Sequence, residues 1–286
     1  MKTKNLGIML VVAVGLLSIG TACTTTGDNI VATDAALTTT STDEAQASSL
    51  SDAVITLSDA YVNTIANNGY SGALAVKGTE EVTGPTITVD KKDSVNFPKT
   101  ITIDFGTSGY IDNQGDTLKG QIIITISNKL WKSGAVKTIK TVNFYVNGNN
   151  VIGIKTITNN GLNAAKNPSM TVVTSDTIIR VDKSTIIRNS TRTRERISDN
   201  GTPKLFFDDE FSITGSVSGI NAKNIAYTVE ITNPLIIYND FPFFVKGTVT
   251  TTTEKRTSVL DYGDGSRDRK ATITINGVTK DIILRH

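Results

Sequence analysis

Cysteine, histidine and tryptophan are almost absent from this chain, which has one of each in 286 residues. A single cysteine cannot form an internal disulfide, so the fold has to depend on core packing. The only histidine, His286, is the last residue, so a Ser-His-Asp or Cys-His nucleophile system has no base held in a structured position. The same shortage excludes a zinc site rich in histidine.

An excess of charge of one sign is also lacking, because 29 basic residues face 27 acidic ones. This balance predicts neither a nucleic-acid partner nor a polybasic membrane patch. Aromatic residues make up only 6% of the chain. Sites that cleave sugars usually add aromatic platforms to their carboxylates, so this composition argues against a glycan hydrolase.

The first 22 residues have the pattern of a signal peptide. Two lysines, Lys2 and Lys4, precede an apolar run from Leu6 to Ile19, and small residues precede Cys23. The run is too short to span a bilayer. The pattern predicts that residues 1–22 are removed and that Cys23 becomes a lipidated N-terminus carrying diacylglycerol and palmitate, with no other cofactor. An ordinary secretory signal followed by an unpaired cysteine is the alternative.

Two segments of different character follow Cys23. Residues 23–42 are mostly Thr, Ser, Ala, Gly and Asp, a composition that predicts a disordered tether. Within residues 43–69, Leu50, Val54 and Ile65 belong to an apolar series spaced by three and four, which predicts one amphipathic helix that docks on a sheet.

Residues 70–286 have the composition of β-strands, with Thr alternating with Ile or Val and with Asn-Gly or Asp-Gly turns between segments. The short spacing predicts antiparallel neighbours in a mainly β body, formed as a curved sheet, a sandwich or an open barrel. Asn276-Gly277 is the clearest hairpin turn. The predicted strands are Thr86–Val89, Thr100–Ile103, Gln121–Ile126, Thr138–Val146, Val151–Thr158, Met170–Val173, Thr177–Val181, Phe211–Val217, Ile225–Ile231, Phe243–Thr253, Ala271–Ile275 and Asp281–Leu284.

The chain also contains an internal echo. Ile103-Asp104-Phe105-Gly106 and Leu260-Asp261-Tyr262-Gly263 each precede an acidic glycine loop and a β-branched segment. Two copies indicate two related halves of one sheet and are too few for a solenoid. Together with Phe97-Pro98-Lys99-Thr100, Gly120-Gln121-Ile122 and Val151-Ile152-Gly153, these motifs resemble a group of uncharacterised β-rich lipoproteins of Bacteroidota. The resemblance covers residues 97–284 and implies export and a β fold, but no activity.

The acidic glycine loops are candidate calcium sites. Asp261, Asp264 and Asp268 surround two glycines, and Asp112 and Asp116 flank Gly115. Calcium takes oxygen ligands from such loops, but neither loop has the spacing of an EF-hand. Asp and Gly are also the usual residues of tight turns, and this is the interpretation that we favour.

Trp131 and a run of arginines are the remaining candidate ligand contacts. Trp131 follows a predicted strand, and we expect it to cap the edge of the core, with stacking on a ligand as the alternative. Arg192, Arg194 and Arg196 share one face if the segment is extended. An anion or glycan contact is conceivable there, but a solvated edge strand protected by charge is favoured.

These features together predict a lipid-anchored protein of the cell envelope, held in the outer membrane on a side that the sequence leaves open. We expect a binding or structural role without catalysis, with an envelope protein or a glycan as partner. Two alternatives remain open: a carboxylate-based glycan hydrolase, which needs two facing acids in a cleft, and a periplasmic carrier, which needs a large apolar cavity.

Overall fold

A computed structural model describes residues 25–70, 84–199, 209–254 and 256–285. The predicted signal peptide, Cys23 and His286 lie outside these ranges. The elements are α1 (Thr25–Asn67), β1 (Thr86–Val89), β2 (Lys99–Asp104), β3 (Tyr110–Ile111), β4 (Thr117–Ile126), β5 (Val136–Val146), β6 (Asn149–Leu162), β7 (Pro168–Ile179), β8 (Thr185–Ser198), β9 (Glu210–Ile220), β10 (Ala226–Tyr238), β11 (Lys246–Thr252), β12 (Thr257–Asp264), β13 (Lys270–Ile275) and β14 (Val278–Ile283).

The strands form one antiparallel sheet, which is curved and unclosed. Its strand order follows the chain from β1 to β14, except that β2 pairs with β4 and the two-residue β3 pairs beside it. Each hairpin therefore places a new strand next to the previous one, as short antiparallel connections require. The mainly β fold class is confirmed, with the curved sheet as its form.

Alternation of side chains gives the sheet one buried and one wetter face. In β2, Ile101 and Ile103 are fully buried, whereas Thr100 and Thr102 are partly exposed. Successive residues of a strand point to opposite faces, so the Thr/Ile pattern becomes a difference in burial. The hairpin predicted at residues 276–277 joins β13 to β14, and both of its turn residues have positive φ, 52° at Asn276 and 78° at Gly277.

Helix α1 begins earlier than the sequence predicts. It starts at Thr25 rather than near residue 43, so the part of the predicted tether from residue 25 to residue 42 is helical. Contacts with the sheet explain the difference: Leu37 is only 1% exposed, Thr40 accepts a hydrogen bond from Asn221, and Ser41 bonds to Ser258. Tertiary packing thus orders a segment whose own composition does not favour order.

The concave side of the sheet is filled by α1. The predicted apolar stripe is buried, since Leu50 and Val54 are 0% exposed and Ile65 is 1% exposed. Polar residues on other sides of the helix are buried as well, including Glu44 and Asp52. Among the described residues, no helix is long and apolar enough to cross a membrane.

Two apolar clusters lie along this helix. The N-terminal cluster joins Leu50, Val54 and Ile65 of α1 to strands β1 to β8, and the C-terminal cluster joins Leu37 to strands β9 to β13 and Leu284. The internal echo places one aromatic residue in each, Phe105 in the first and Tyr262 in the second.

Candidate functional site

Strand β8 carries the arginine run and lies in the middle of the sheet, paired with β7 and β9. The prediction of a solvated edge strand is therefore wrong. Arg192 and Arg194 do share a face, but it is the concave one, where they are 3% and 6% exposed. Arg188 points the same way and is fully buried. A charge that protects an edge would have to remain in water.

Carboxylates of α1 neutralise these arginines. Arg188 donates to Glu44 at 3.0 Å and lies 3.4 Å from Asp176 of β7. Arg192 binds Asp52 through two hydrogen bonds of 2.6 and 3.0 Å. This bidentate geometry is the one that suits a guanidinium and a carboxylate, and it fixes the helix against β8.

Two buried lysines complete this set of ion pairs, which we call the ionic seam. Lys155 pairs with Asp176 and Lys137 pairs with Asp59, and Asp59 also lies 3.5 Å from Arg194. Arg196 is less buried and lies 3.6 Å from Asp209. A buried charge without a partner is costly, so removing one member of a pair would leave the other uncompensated.

Two members of the seam, Arg188 and Asp176, are held in their charged forms by their neighbours. Burial alone would lower the pKa of Arg188, but Glu44 and Asp176 outweigh it and hold that pKa above its ordinary value. Burial likewise favours a raised pKa at Asp176, yet Lys155, Arg188 and the hydrogen bonds from Lys155 and Ser51 keep it below its usual range. Opposite charges a few ångströms away account for both directions.

A groove of about 510 Å³ opens beside α1. Its helical wall includes Leu57 and Tyr61, a second wall is the segment from Tyr110 to Leu118, and a third is the β10–β11 loop with Phe241. Its volume falls within the range of small-molecule sites.

The seam holds two of these walls. Asp52 and Asn239 both line the groove, and they accept hydrogen bonds from Arg192 and Arg194 respectively, the second at 2.6 Å. Arg192 and Arg194, for which a ligand contact was the alternative, therefore act behind the groove. The two arginines hold α1 and the β10–β11 loop, which form two walls of the groove, in fixed positions.

Two tyrosines that line the groove, Tyr61 and Tyr110, both pack against Phe105. Tyr61 packs edge-on against Phe105 with ring centroids 6.1 Å apart, and Phe105 lies 6.0 Å from Tyr110. Burial raises the pKa of Tyr61, and the neighbouring Tyr110 and Asp112 raise it further. The Tyr61 phenol is therefore protonated at neutral pH and is a hydrogen-bond donor.

Carboxylates give the groove its charge. Asp112 accepts two backbone hydrogen bonds of 2.9 Å, from Gln114 and Asp116, and Asp116 accepts one of 2.7 Å from Asn147. Asp240, in the opposite loop, lies 2.5 Å from Arg267. Among the described residues that line the groove, four are aspartates and none is Lys or Arg.

The second acidic glycine loop lies outside the groove. Asp261, Asp264 and Asp268 each accept the backbone N–H of the residue two positions later, at 2.8 to 2.9 Å. These are Asx turns, in agreement with the turn interpretation that the sequence favours. Within the described residues, no group of three His, Cys, Asp or Glu is arranged to hold a metal ion.

Trp131 does not cap the core as expected. It is 72% exposed in the β4–β5 loop, with the Lys129 ammonium 5.3 Å from its ring. The neighbouring Leu130 packs against the N-terminal cluster instead. Trp131 does not line the groove, so the structure does not bring it together with Arg192, Arg194 and Arg196 in one site.

The opposite face of the sheet carries a second concavity, of about 840 Å³. Two rows of mostly short hydroxyl and amide side chains cross six strands there, each residue paired with the next across the sheet. The first row consists of Ile154, Ser175, Asn189, Ser218, Thr228 and Thr252. The second row consists of Thr156, Val173, Thr191, Ser216, Glu230 and Thr250. Glu230 is the only charged residue among them, and none of the described residues that line this surface is aromatic.

Comparison with known proteins leaves the site to be judged on its geometry. No family model, curated protein or solved structure matches this chain. The sequence singles out the Asp112–Asp116 loop, but as a calcium candidate. Tyr61, Tyr110 and Phe241 were not identified as groove residues, because a pattern of apolar spacing does not distinguish a cavity wall from a filled core.

Proposed function

We propose that this protein is a lipid-anchored binding protein of the cell envelope that captures a ligand in the groove beside α1 and performs no chemistry on it. The observation that carries the proposal is the groove itself, in which aromatic and acidic residues line 510 Å³ of space. Its walls are held by buried ion pairs, as in a site that is formed before its ligand arrives.

The anchor follows from the sequence around Cys23. Helix α1 begins at Thr25, two positions later. Two residues of extended chain reach about 7 Å, so a lipid on Cys23 would keep the body at the membrane surface.

Binding fits the groove better than hydrolysis does. A glycan hydrolase needs one carboxylic acid with a raised pKa beside one carboxylate. Asp176 and Asp264, whose pKa is shifted, both have it lowered, and neither lines the groove. The carrier alternative requires a large apolar cavity, and α1 occupies that space.

Metabolic labelling and a binding screen test the proposal. Labelled palmitate is expected to join the full chain, and Cys23→Ser should abolish labelling and release the protein into the soluble fraction. Purified Cys23→Ser protein should then bind at least one member of a panel of oligosaccharides, peptides and organic cations without consuming it. Turnover of any polysaccharide, or binding that substitutions in the groove leave unchanged, would contradict the proposal.

A further inference from the structure

The only tryptophan of the chain is presented to solvent by a loop that is held firmly in place. Asn159 of β6 fixes the β4–β5 loop at two points, since its backbone carbonyl accepts the Gly134 N–H at 2.7 Å and its side-chain amide donates to the Leu130 carbonyl at 2.6 Å. Leu130 packs against the N-terminal cluster, whereas Trp131 is 72% exposed. A large apolar side chain that a well-held loop keeps in water indicates a contact surface.

The next turn at this end of the sheet adds a second exposed apolar side chain. Leu162 ends β6 and is 68% exposed. Gly161 beside it lies against the Trp131 loop, because a Cβ atom at Gly161 would be 3.2 Å from the Ser133 hydroxyl. The β4–β5 and β6–β7 turns therefore meet. We call Trp131, Leu162 and the three lysines of these two turns, Lys129, Lys132 and Lys166, the tip.

The tip carries an excess of positive charge. The Lys129 ammonium lies 5.3 Å from the Trp131 ring, and in the described part of the chain none of the tip lysines pairs with a carboxylate. One acid, Glu195, lies beside the β6–β7 turn and accepts a hydrogen bond from Asn167 at 2.7 Å. The β1–β2 loop, at the same end of the sheet, adds two lysines and two aspartates at residues 90–93, which leaves the excess unchanged. The balanced charge of the whole chain therefore conceals a local surplus of cations.

This combination matches the surface of a lipid bilayer. An indole has an apolar body and a polar N–H, which favours the boundary between headgroups and acyl chains. A lysine keeps its aliphatic stem in apolar surroundings while its ammonium reaches phosphate. A negatively charged bilayer also attracts lysines at close range. A neutral glycan would stack on Trp131, but it would gain little from Leu162 or from the lysines.

The tip lies at the end of the sheet away from the start of α1. Asp34, near that start, pairs with Arg256 in the β11–β12 turn and accepts a hydrogen bond of 3.1 Å from Asn276 in the β13–β14 turn. Antiparallel strands in chain order place these turns opposite to the β4–β5 and β6–β7 turns. The tip is therefore distinct from any lipid on Cys23, and a chain without that lipid retains it.

We propose that the tip binds the surface of an anionic lipid bilayer. Trp131 and Leu162 would enter the headgroup region, and the three lysines would bind phosphate groups. Three lysines give only weak attraction by themselves, so the two apolar side chains are needed as well. This contact is separate from the groove beside α1 and does not depend on its ligand.

Fluorescence of Trp131 tests this, because no other tryptophan contributes. The predicted mature chain, residues 23–286 with Cys23→Ser, would be mixed with vesicles made of equal parts of phosphatidylglycerol and phosphatidylcholine. We expect the Trp131 emission to shift to shorter wavelength and the protein to sediment with the vesicles, less completely as salt is added. Vesicles of phosphatidylcholine alone should bind the protein much more weakly.

Three variants separate the tip from the rest of the surface. Trp131→Ala is expected to weaken the affinity for anionic vesicles roughly tenfold, and Lys132→Gln roughly fivefold. Lys223→Gln is the matched control and should leave the affinity unchanged, because Lys223 is an exposed lysine in the β9–β10 turn at the opposite end of the sheet. All three side chains are exposed, so the fold should tolerate their replacement.

Absence of vesicle binding, or equal effects of Lys132→Gln and Lys223→Gln, would contradict the proposal. A Trp131 emission shift that neutral trisaccharides cause and anionic vesicles do not would also overturn it, because the ring would then be a sugar contact.

Discussion

Arg188 has no contact with solvent and connects two different elements, Glu44 of α1 and Asp176 of β7. Replacing an entire buried ion pair with apolar residues is often neutral, so such a pair is weak evidence of net stabilisation. Removing one partner is different, because it leaves the other charge buried and uncompensated. The contribution of Arg188 is therefore best measured by its removal.

Arg188→Ala is expected to lower the free energy of unfolding by about 3–5 kcal/mol, because Glu44 and Asp176 would lose a shared cation. Urea denaturation followed by circular dichroism measures this. Lys270→Ala is the control, since Lys270 is 80% exposed and only 4.0 Å from Asp268, and it should leave the midpoint unchanged. Similar effects of the two substitutions would show that the ionic seam has no special role.

The sequence indicates part of this arrangement at the level of residues. The spacing of Arg192 and Arg194 correctly predicts a shared face, because side chains in a strand alternate. The spacing does not indicate whether this face is buried or exposed, because that depends on partners far away in the chain. Arg192, for example, pairs with Asp52, 140 positions earlier. For the same reason, the sequence does not show that the acids of α1 are buried.

At the level of elements, the approach of β4 to β5 depends on one glycine. Gly120 has φ of 83°, and the pairing of the two strands shifts register beside it. A Cβ atom at Gly120 would lie 1.8 Å from the backbone oxygen of Asn143. This irregularity lies two residues from Leu118, which lines the groove, so it helps to set the course of that wall.

Gly120→Ala should therefore destabilise the protein more than Gly277→Ala does. Both glycines have similar φ, 83° and 78°, but a Cβ at Gly277 meets nothing within 4 Å. The left-handed conformation costs each alanine about 1–2 kcal/mol, and crowding should add about 1–3 kcal/mol at Gly120 only. Thermal melting of the two variants checks this, and equal melting temperatures would mean that β5 moves aside at no cost.

The sequence predicts individual strands and turns better than it predicts where α1 begins or where β8 lies in the sheet. Alternation in Thr100–Ile103 and the Asn276-Gly277 turn identify their elements because both signals are local. The early start of α1 and the central position of β8 are not local, since Leu37 packs with residues from β9 onward and β8 is defined by its neighbours. The groove was missed for the same reason, because its three walls come from distant segments.

At the level of the whole molecule, α1 belongs to both apolar clusters. Leu37 packs in the C-terminal cluster, whereas Leu50, Val54 and Ile65 pack in the N-terminal cluster. The acids of the ionic seam, from Glu44 to Asp59, lie between Leu37 and Ile65 along the helix. Neither half of the sheet can release the helix without exposing apolar surface of its own.

The two halves should consequently unfold together. Hydrogen exchange at increasing urea is expected to show that β2 and β4 of the first half lose protection at the same urea concentration as β10 and β12 of the second. A shared helix makes local opening of either half as costly as global unfolding. Two well-separated transitions would instead indicate independent halves that the helix merely touches.

The connectivity also sets an order of events when the chain is made. Every strand after β1, except β3, can pair with an earlier neighbour as soon as it is complete, but Glu44 is synthesised 144 positions before its partner Arg188. The carboxylates of Glu44 and Asp52 thus stay hydrated while seven strands accumulate, and they become buried only when the eighth strand brings Arg188 and Arg192. A nascent chain that stops before Arg188 lacks both of these cations, so the two carboxylates have no reason to leave water.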